Sequence, residues 1–284
     1  KRISSNRMEK INPKTETAEA EKAKFAEVIF QSALAEHEAY RKIPAEELRA
    51  TIRTILDEME TVENLAGPEK VLEALTPEVA EKIVALWDFS GPGTYDSPTK
   101  KDRYQEKTWA RGMDRARLNH TAWLARKIAE IRSQNHDKKA VAETKEMISD
   151  FGPDIFYNGT AEENSVIKDV LTRVGVMIAA DKVHIPDTAI ANTVDQVKTF
   201  VLPEGLHVFG GEIALVSHAP HLVRTLHMLN RYKVIPEDMK IRLFPLKSPK
   251  DSEEYTLMEV RGLLYYIYLS PNKDAVKEPH SYEI

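Results

Sequence analysis

GEIALVSHAPHLVRTLHMLNR, residues 211–231, changes character at its middle. Ile213 to Val216 form an unbroken apolar run, Ser217, His218, Ala219 and Pro220 interrupt it, and Leu222, Leu226 and Leu229 then recur at helical spacing. The stretch reads as a buried strand running directly into a helix. Proline suits the first helical turn, where its missing N–H would have no intrahelical partner, so Pro220 marks the helix start. His221 then falls just inside the helix, with Arg224 one turn further on the same side. Unpaired amides and the macrodipole favour an anion at such an end. A turn-capping histidine and a surface-paired arginine would leave the same pattern, so the rest of the chain has to decide.

The 284 residues suffice for one large domain, or for a domain with a substantial extension. A net charge of -5 argues against an extended nucleic-acid surface. The absence of cysteine excludes disulfides and thiolate metal sites. No apolar segment approaches the length of a membrane span, and KRISSNRMEK at the start has no signal-peptide core. Cytoplasmic placement is the expectation; because the chain begins with Lys1, an upstream signal or anchor stays open.

Residues 1–16 are polar and are expected to be disordered. Thr17 to Arg41 carries Ala20, Phe25, Val28, Ile29, Ala33 and Leu34 at helical spacing, and a second helix runs from Pro44 through Leu48, Ile52, Ile55 and Met59. Gly67-Pro68 breaks the chain before two short helices around 69–75 and 77–83. Residues 1–80 hold no constellation of site residues and read as an all-helical extension that packs or docks a protein partner; 81–284 form the main domain.

Ile83 to Trp87 is a strand delivering the chain to Ser90, Gly91, Pro92 and Gly93, where glycines let backbone amides approach a ligand. Thr94 to Gly112, with Tyr95, Tyr104 and Trp109, reads either as a lid or as a pinned surface loop. Asp114 to Arg132 is an amphipathic helix in which Arg115 and Arg117 oppose the dipole, through a bound anion or through pairing to Asp114 or Asp102. A polar helix spans Val141 to Ile148, and Asp154 to Tyr157 is the next strand. Asn158-Gly159 follows as a tight exit, and Thr160 with Glu163 fits a capping box ahead of Val166, Ile167, Val170 and Leu171; Gly175 ends that helix. Lys182 to Ile185 is a third strand, from which Pro186, Asp187 and Thr188 turn into a helix containing Asn192, Thr193, Asp195 and Gln196. Lys240 to Leu246 and Ser252 to Leu269 are the closing strand and helix.

Strands and helices thus alternate from residue 83 onward, which implies an α/β fold: a mostly parallel sheet covered by helices on both faces, a Rossmann-like three-layer sandwich. Ligands of such sheets bind beyond the carboxyl ends of the strands. The polar constellations noted above, at 88–93, 158–163, 187–196 and 217–224, each fall immediately after a strand.

These segments resemble the SanA, ElyC and YdcF group of domains. The resemblance covers 83–246 and rests on Arg117 with Leu118, Thr121 and Leu124, and on Asn158-Gly159 with Glu163 ahead of Gly175-Val176. It continues through Asp187, Asn192-Thr193-Val194-Asp195-Gln196 and Val216-Ser217-His218-Ala219-Pro220-His221-Leu222-Val223-Arg224. Asp195-Gln196 stands where that group has Glu-Asn, and the first loop carries a long insertion. The resemblance implies a Rossmann-like domain for a small phosphorylated or nucleotide-like ligand, S-adenosylmethionine being one candidate; it names no cofactor.

The expected function is an enzyme for hydrolysis or group transfer on an anionic small molecule. Arg117 and Arg224 clamp the anion, Asn158 and Asn192 fix the ligand, and Ser90, Gly91 and Gly93 cradle it, with Gly159, Thr193, Ser217 and His218 lining the site. His221 is the expected general acid or base, oriented by Glu163 or Asp187. A binding module without chemistry and a scaffold working through its N-terminal helices are the alternatives. His218 and His221 with Asp187 or Glu163 are set aside as a metal site for want of a further nearby ligand, and a nucleophilic Ser217 lacks the G-x-S-x-G elbow.

Overall fold

The computed structural model describes residues 13–91, 110, 112–135, 151–161, 163–165, 167, 180–188, 190–249 and 252–284. The N-terminal stretch before residue 13, Gly93, most of the aromatic loop Thr94–Gly112, the helix at Val141–Ile148, and Val166, Val170, Leu171 and Gly175 lie outside the described residues.

The chain divides into two compact units, one up to Asp57 and one from Glu58. In the first, α1 (Pro13–Glu36) is followed by a 3-10 turn (Glu38–Lys42) and the start of α2 (Ala45–Glu63). Its charged face ties the two helices together: Arg49 pairs with Glu27 at 3.0 Å and covers the Phe30 ring, and Lys22 reaches Asp57 at 2.8 Å.

The second unit continues through α3 (Pro68–Ala74) and α4 (Pro77–Lys82) into β1 (Ile83–Phe89), α5 (Met113–Asn135) and β2 (Asp154–Asn158). β3 (Val183–His184), α6 (Thr193–Lys198), β4 (Glu212–Val216), α7 (Ala219–Tyr232), β5 (Lys240–Leu243) and α8 (Glu253–Leu264) complete it. Pro68 and Pro77 begin their helices and Thr76 caps the second of them, its hydroxyl accepting the Val79 N–H. The closing helix ends earlier than its apolar pattern, in a π turn over Tyr265–Leu269 sealed by Ser270 N–H to the Tyr265 carbonyl at 2.8 Å.

All strand pairs are parallel, in the order β3-β2-β1-β4-β5, so the fold is the α/β sandwich the alternation implies. Trp87 is level with Phe156 on one side and Leu215 on the other. Side chains alternate between two buried faces. Leu86, Ile155, Tyr157, Ala214 and Val216 pack with the α5 stripe of Leu118, Ala122, Ala125 and Ala129, and α3 and α4 add Val71, Leu75 and Ala80 to that core. On the other face Trp87 stacks on Phe89 and Phe200, and Phe89 meets the His221 ring of α7 edge-on. α7 in turn packs against α6 and α8. Three layers result, with α5 on one side of the sheet and α7 on the other. Among the described residues no helix is long and apolar enough to cross a membrane.

Candidate functional site

β1 sits at the centre of the sheet, and successive strands are laid down first on one side of it and then on the other. Between β1 and β4 the order reverses, and in sheets of this kind the ligand crevice lies at that point, beyond the carboxyl ends of the strands. Ser90-Gly91 leaves β1 there and Ser217-His218 leaves β4.

Arg117, in the second turn of α5, fills the floor of this crevice and is only 1% exposed. Its Nη1 donates to the carbonyls of Phe89 (3.0 Å) and Ser90 (2.8 Å), its Nε to His218 Nδ1 (3.0 Å), and its Nη2 to the Tyr255 hydroxyl (3.4 Å). The guanidinium is thus largely engaged by the protein, which leaves its charge more than its N–H groups available to a ligand. His218, at the N-cap of α7, makes no side-chain capping bond because its ring is turned to Arg117.

Ser217 and His221 are buried on the opposite side of the sheet. Ser217 Oγ lies 3.0 Å from His221 Nδ1, and Thr193 Oγ1 lies 3.4 Å from Nε2. Burial, then the nearby Arg224 and Arg117, hold the His221 pKa well below the ordinary imidazole range. The ring is therefore neutral, one nitrogen donating and the other accepting. The first turn of α7 carries no acidic residue, so no carboxylate of that turn offsets the positive pole of this 14-residue helix. Pro220 offers no amide there, and strand pairing continues from His218 to Leu246, which takes up part of the junction's backbone.

Carboxyl groups gather on the β1–β2 side. Asp114 opens α5, its Oδ1 accepts the Gly91 N–H, and its Oδ2 has no partner. Burial first, and Glu163 second, raise its pKa well above the ordinary carboxylate value. Glu163 forms the expected capping box: its Oε2 accepts the Thr160 N–H at 2.7 Å, and its own N–H points to Thr160 Oγ1 at 3.5 Å. Asp88, on the α5 face of β1, is fully buried with neither oxygen hydrogen-bonded, and desolvation pushes its pKa up to about 8 against the pull of Arg117. Thr121 pulls that carboxyl slightly toward its charged form, although no well-formed hydrogen bond joins the two side chains.

Two glycines make this crowding feasible. A Cβ on Gly91 would lie 2.6 Å from Asp114 Oδ1 and 2.8 Å from Arg117 Nη1; one on Gly159 would lie 2.6 Å from Glu163 Oε2 and 2.9 Å from the Tyr157 hydroxyl.

Asn158 is tied into the scaffold, its amide donating to the Gln196 carbonyl (2.7 Å) and Thr199 Oγ1 (3.0 Å) while its oxygen accepts the Trp87 indole N–H. Gln196 reaches from α6 to Ser90 Oγ at 2.7 Å, joining the exits of β1 and β2. Asn192 is exposed and caps α6, with Asp195 as the partner of both its side-chain atoms. Arg224 turns to α8, where it pairs with buried Glu259 at 2.9 Å across Gly262. Asp187 is exposed and lines a separate open cleft of about 450 Å³ with Asn164, Ser165 and Ile185.

Contacts thus link Ser90, Gly91, Arg117 and His218 in one network, with Asp114 between Gly91 and α5, and Ser217, His221 and Thr193 in another, with Glu163 at the β2 exit, whereas Asn192, Asp187 and Arg224 make their contacts elsewhere. Sequence reasoning gave no site role to Asp88, Asp114, Gln196, Tyr255 or Glu259, although Asp88 stood out as a charged residue in an apolar strand. Among the described residues no group of three or more His, Asp or Glu side chains is placed to hold a metal ion. No protein-family model, curated protein or solved structure matches this chain.

Proposed function

We propose that the chain is an enzyme acting by hydrolysis or group transfer on a small anionic, phosphorylated or nucleotide-like molecule held in the crevice between β1 and β4. The observation that carries this reading is the polarity of the crevice. Arg117 and the start of α7 supply positive potential, and Asp114, a carboxyl group with a raised pKa, stands close beside Arg117 at the β1 exit. Ser217 and His221 contribute neutral hydrogen-bonding groups from the α7 side of the sheet, and Glu163 is assigned as the base. The resemblance to the SanA, ElyC and YdcF group belongs with this proposal, since it implies a small phosphorylated or nucleotide-like ligand for such a domain.

One observation favours binding without turnover. His221 has hydroxyl partners at both ring nitrogens, and among the described residues neither the expected Glu163 nor Asp187, nor any other carboxylate, is hydrogen-bonded to its ring to stabilise an imidazolium. Chromogenic phosphomonoesters, phosphodiesters and glycosides offered to the wild type and to Glu163→Gln and His221→Gln separate the two. Turnover lost in Glu163→Gln supports the enzyme. Saturable stabilisation by nucleotides or sugar nucleotides with no turnover of any substrate supports the binding module.

A further inference from the structure

His227 has an acceptor at each ring nitrogen. Its side chain is fully buried on α7, with Nδ1 2.5 Å from the Val276 carbonyl oxygen and Nε2 2.7 Å from a carboxylate oxygen of Glu58. Glu58 stands in the part of α2 that belongs to the second unit. A carbonyl only accepts, so Nδ1 must carry a proton. The Nε2 contact needs a further one, either on the ring as an imidazolium or on the Glu58 carboxyl. Both arrangements hold one proton more than a neutral imidazole beside a carboxylate. Raising the pH withdraws that proton and sets a lone pair of the ring against the carboxylate or the carbonyl, so the contact weakens as pH rises.

Val276 begins a segment that runs along α7 to the edge of the sheet. Asn230 Nδ2 donates to the Glu278 carbonyl (3.1 Å), the His280 N–H to the Leu226 carbonyl (3.0 Å) and the Glu283 N–H to the Ile241 carbonyl (2.7 Å). Glu283 thereby pairs in parallel with Arg242 on the open side of β5, the last strand of the sheet. No residue from 276 to 284 is fully buried, so polar contacts more than apolar packing hold the segment, and attachments of that kind open first. Its other charged groups do not share the pH dependence of the His227 contact. Burial and then Glu58 raise the Tyr282 pKa, and the Glu283–Lys240 pair lowers the carboxyl and raises the amine. Lys277 turns to the Tyr268 ring, and Arg231, one turn further along α7, is a fixed cation. His280 is the one further histidine of the segment.

We propose that His227 is a proton-operated latch: with the extra proton it ties Glu58 of α2 and the segment from Val276 onward to α7, and as pH rises it lets that segment go from α7 and from the edge of β5.

An NMR titration of the whole labelled chain from about pH 6 to about pH 9 tests it, histidine being the side chain that ordinarily changes charge near neutrality. The Lys277 amide shares its peptide plane with the Val276 carbonyl and reports the latch; the Glu283 amide reports the attachment at β5. In the wild type both signals are expected to move together with those of the His227 ring, Glu283 toward its unfolded-chain position. In Glu58→Gln the side-chain amide can donate to Nε2 while Nδ1–H keeps Val276, so a neutral ring serves both partners and the two signals should hold their places throughout. His227→Asn sets an amide donor where Nδ1 stood and removes the titrating ring, which covers the case in which Glu58→Gln does not fold. His280 is common to all three proteins, so movement confined to the wild type supports the latch. Wild-type signals that stay fixed, a Glu283 signal that stays while Lys277 moves, or movement of the same size in either folded variant overturns it.

Discussion

The Nε of Arg117 lies 3.0 Å from Nδ1 of His218, and that contact fixes the histidine's tautomer. Arginine only donates, so Nδ1 must accept and the proton resides on Nε2. Burial and the Arg117 charge lower the His218 pKa well below the imidazole range. Nitrogen-detected NMR is therefore expected to show a neutral, Nε2-protonated His218 throughout the range in which an exposed histidine titrates. A charged ring at pH 6 would show that the pairing is wrong.

Arg117 also joins the exits of β1 and β4 through the Phe89 and Ser90 carbonyls. Lysine cannot reproduce that fork. Arg117→Lys should lower stability in urea by about 3–5 kcal/mol, the usual loss when a buried charge network is broken. A change below 1 kcal/mol, roughly the scale of an exposed pair, would place the residue outside such a network.

Asp88 sets a pH dependence. With its folded pKa raised from 3.8 to about 8, the folded protein holds a proton that the unfolded chain releases across that interval. Its contribution is fully present below the unfolded pKa and is lost as pH rises through the folded one. Asp88→Asn removes the titration, so its stability relative to wild type should improve with pH in this window, by at most about 1.4 kcal/mol per pH unit. A difference that stays flat from pH 4 to pH 8 contradicts the assignment.

Gly91 tests the crowding at the β1 exit. Gly91→Ala places a methyl group against Asp114 and Arg117, and overpacking of this kind costs about 1–3 kcal/mol in thermal or chemical unfolding. Gly205, whose added Cβ meets nothing within 4 Å but whose φ is +89°, is the comparison that separates crowding from backbone strain. Gly91→Ala should impair ligand binding, while Gly205→Ala should affect stability alone.

The alternation of apolar runs and amphipathic segments made the sheet legible, because each strand is buried on both faces and each helix on one. Capping was legible too: Thr160 with Glu163 is a local pattern, and it forms as spaced. Arg224 was not, because its partner Glu259 is 35 residues away on α8 and no spacing rule connects them. Asp114 was read as a helix-terminal partner for arginine, since nothing in the sequence says that Gly91 returns to meet it. Asn192 looked like a ligand-fixing residue because an N-cap and a ligand contact call for the same side chain at the same place.

Arg224 and Glu259 form a close but poorly aligned pair, 2.9 Å apart, with Glu259 buried. Glu259→Gln should destabilise the protein by about 3–5 kcal/mol by leaving the arginine uncompensated, while the double variant Arg224→Met/Glu259→Leu should recover most of that loss. Additive losses in the double variant would mean that the two side chains act independently.

The account rests on the crevice between β1 and β4 as the ligand site, and an NMR titration of the labelled protein with inorganic phosphate followed by a nucleotide tests this most directly. The amide signals of Gly91, Ser217, His218 and His221 should shift together and saturate at one affinity. Shifts confined to the Asp187 cleft, or none at these four amides at saturating ligand, would contradict it.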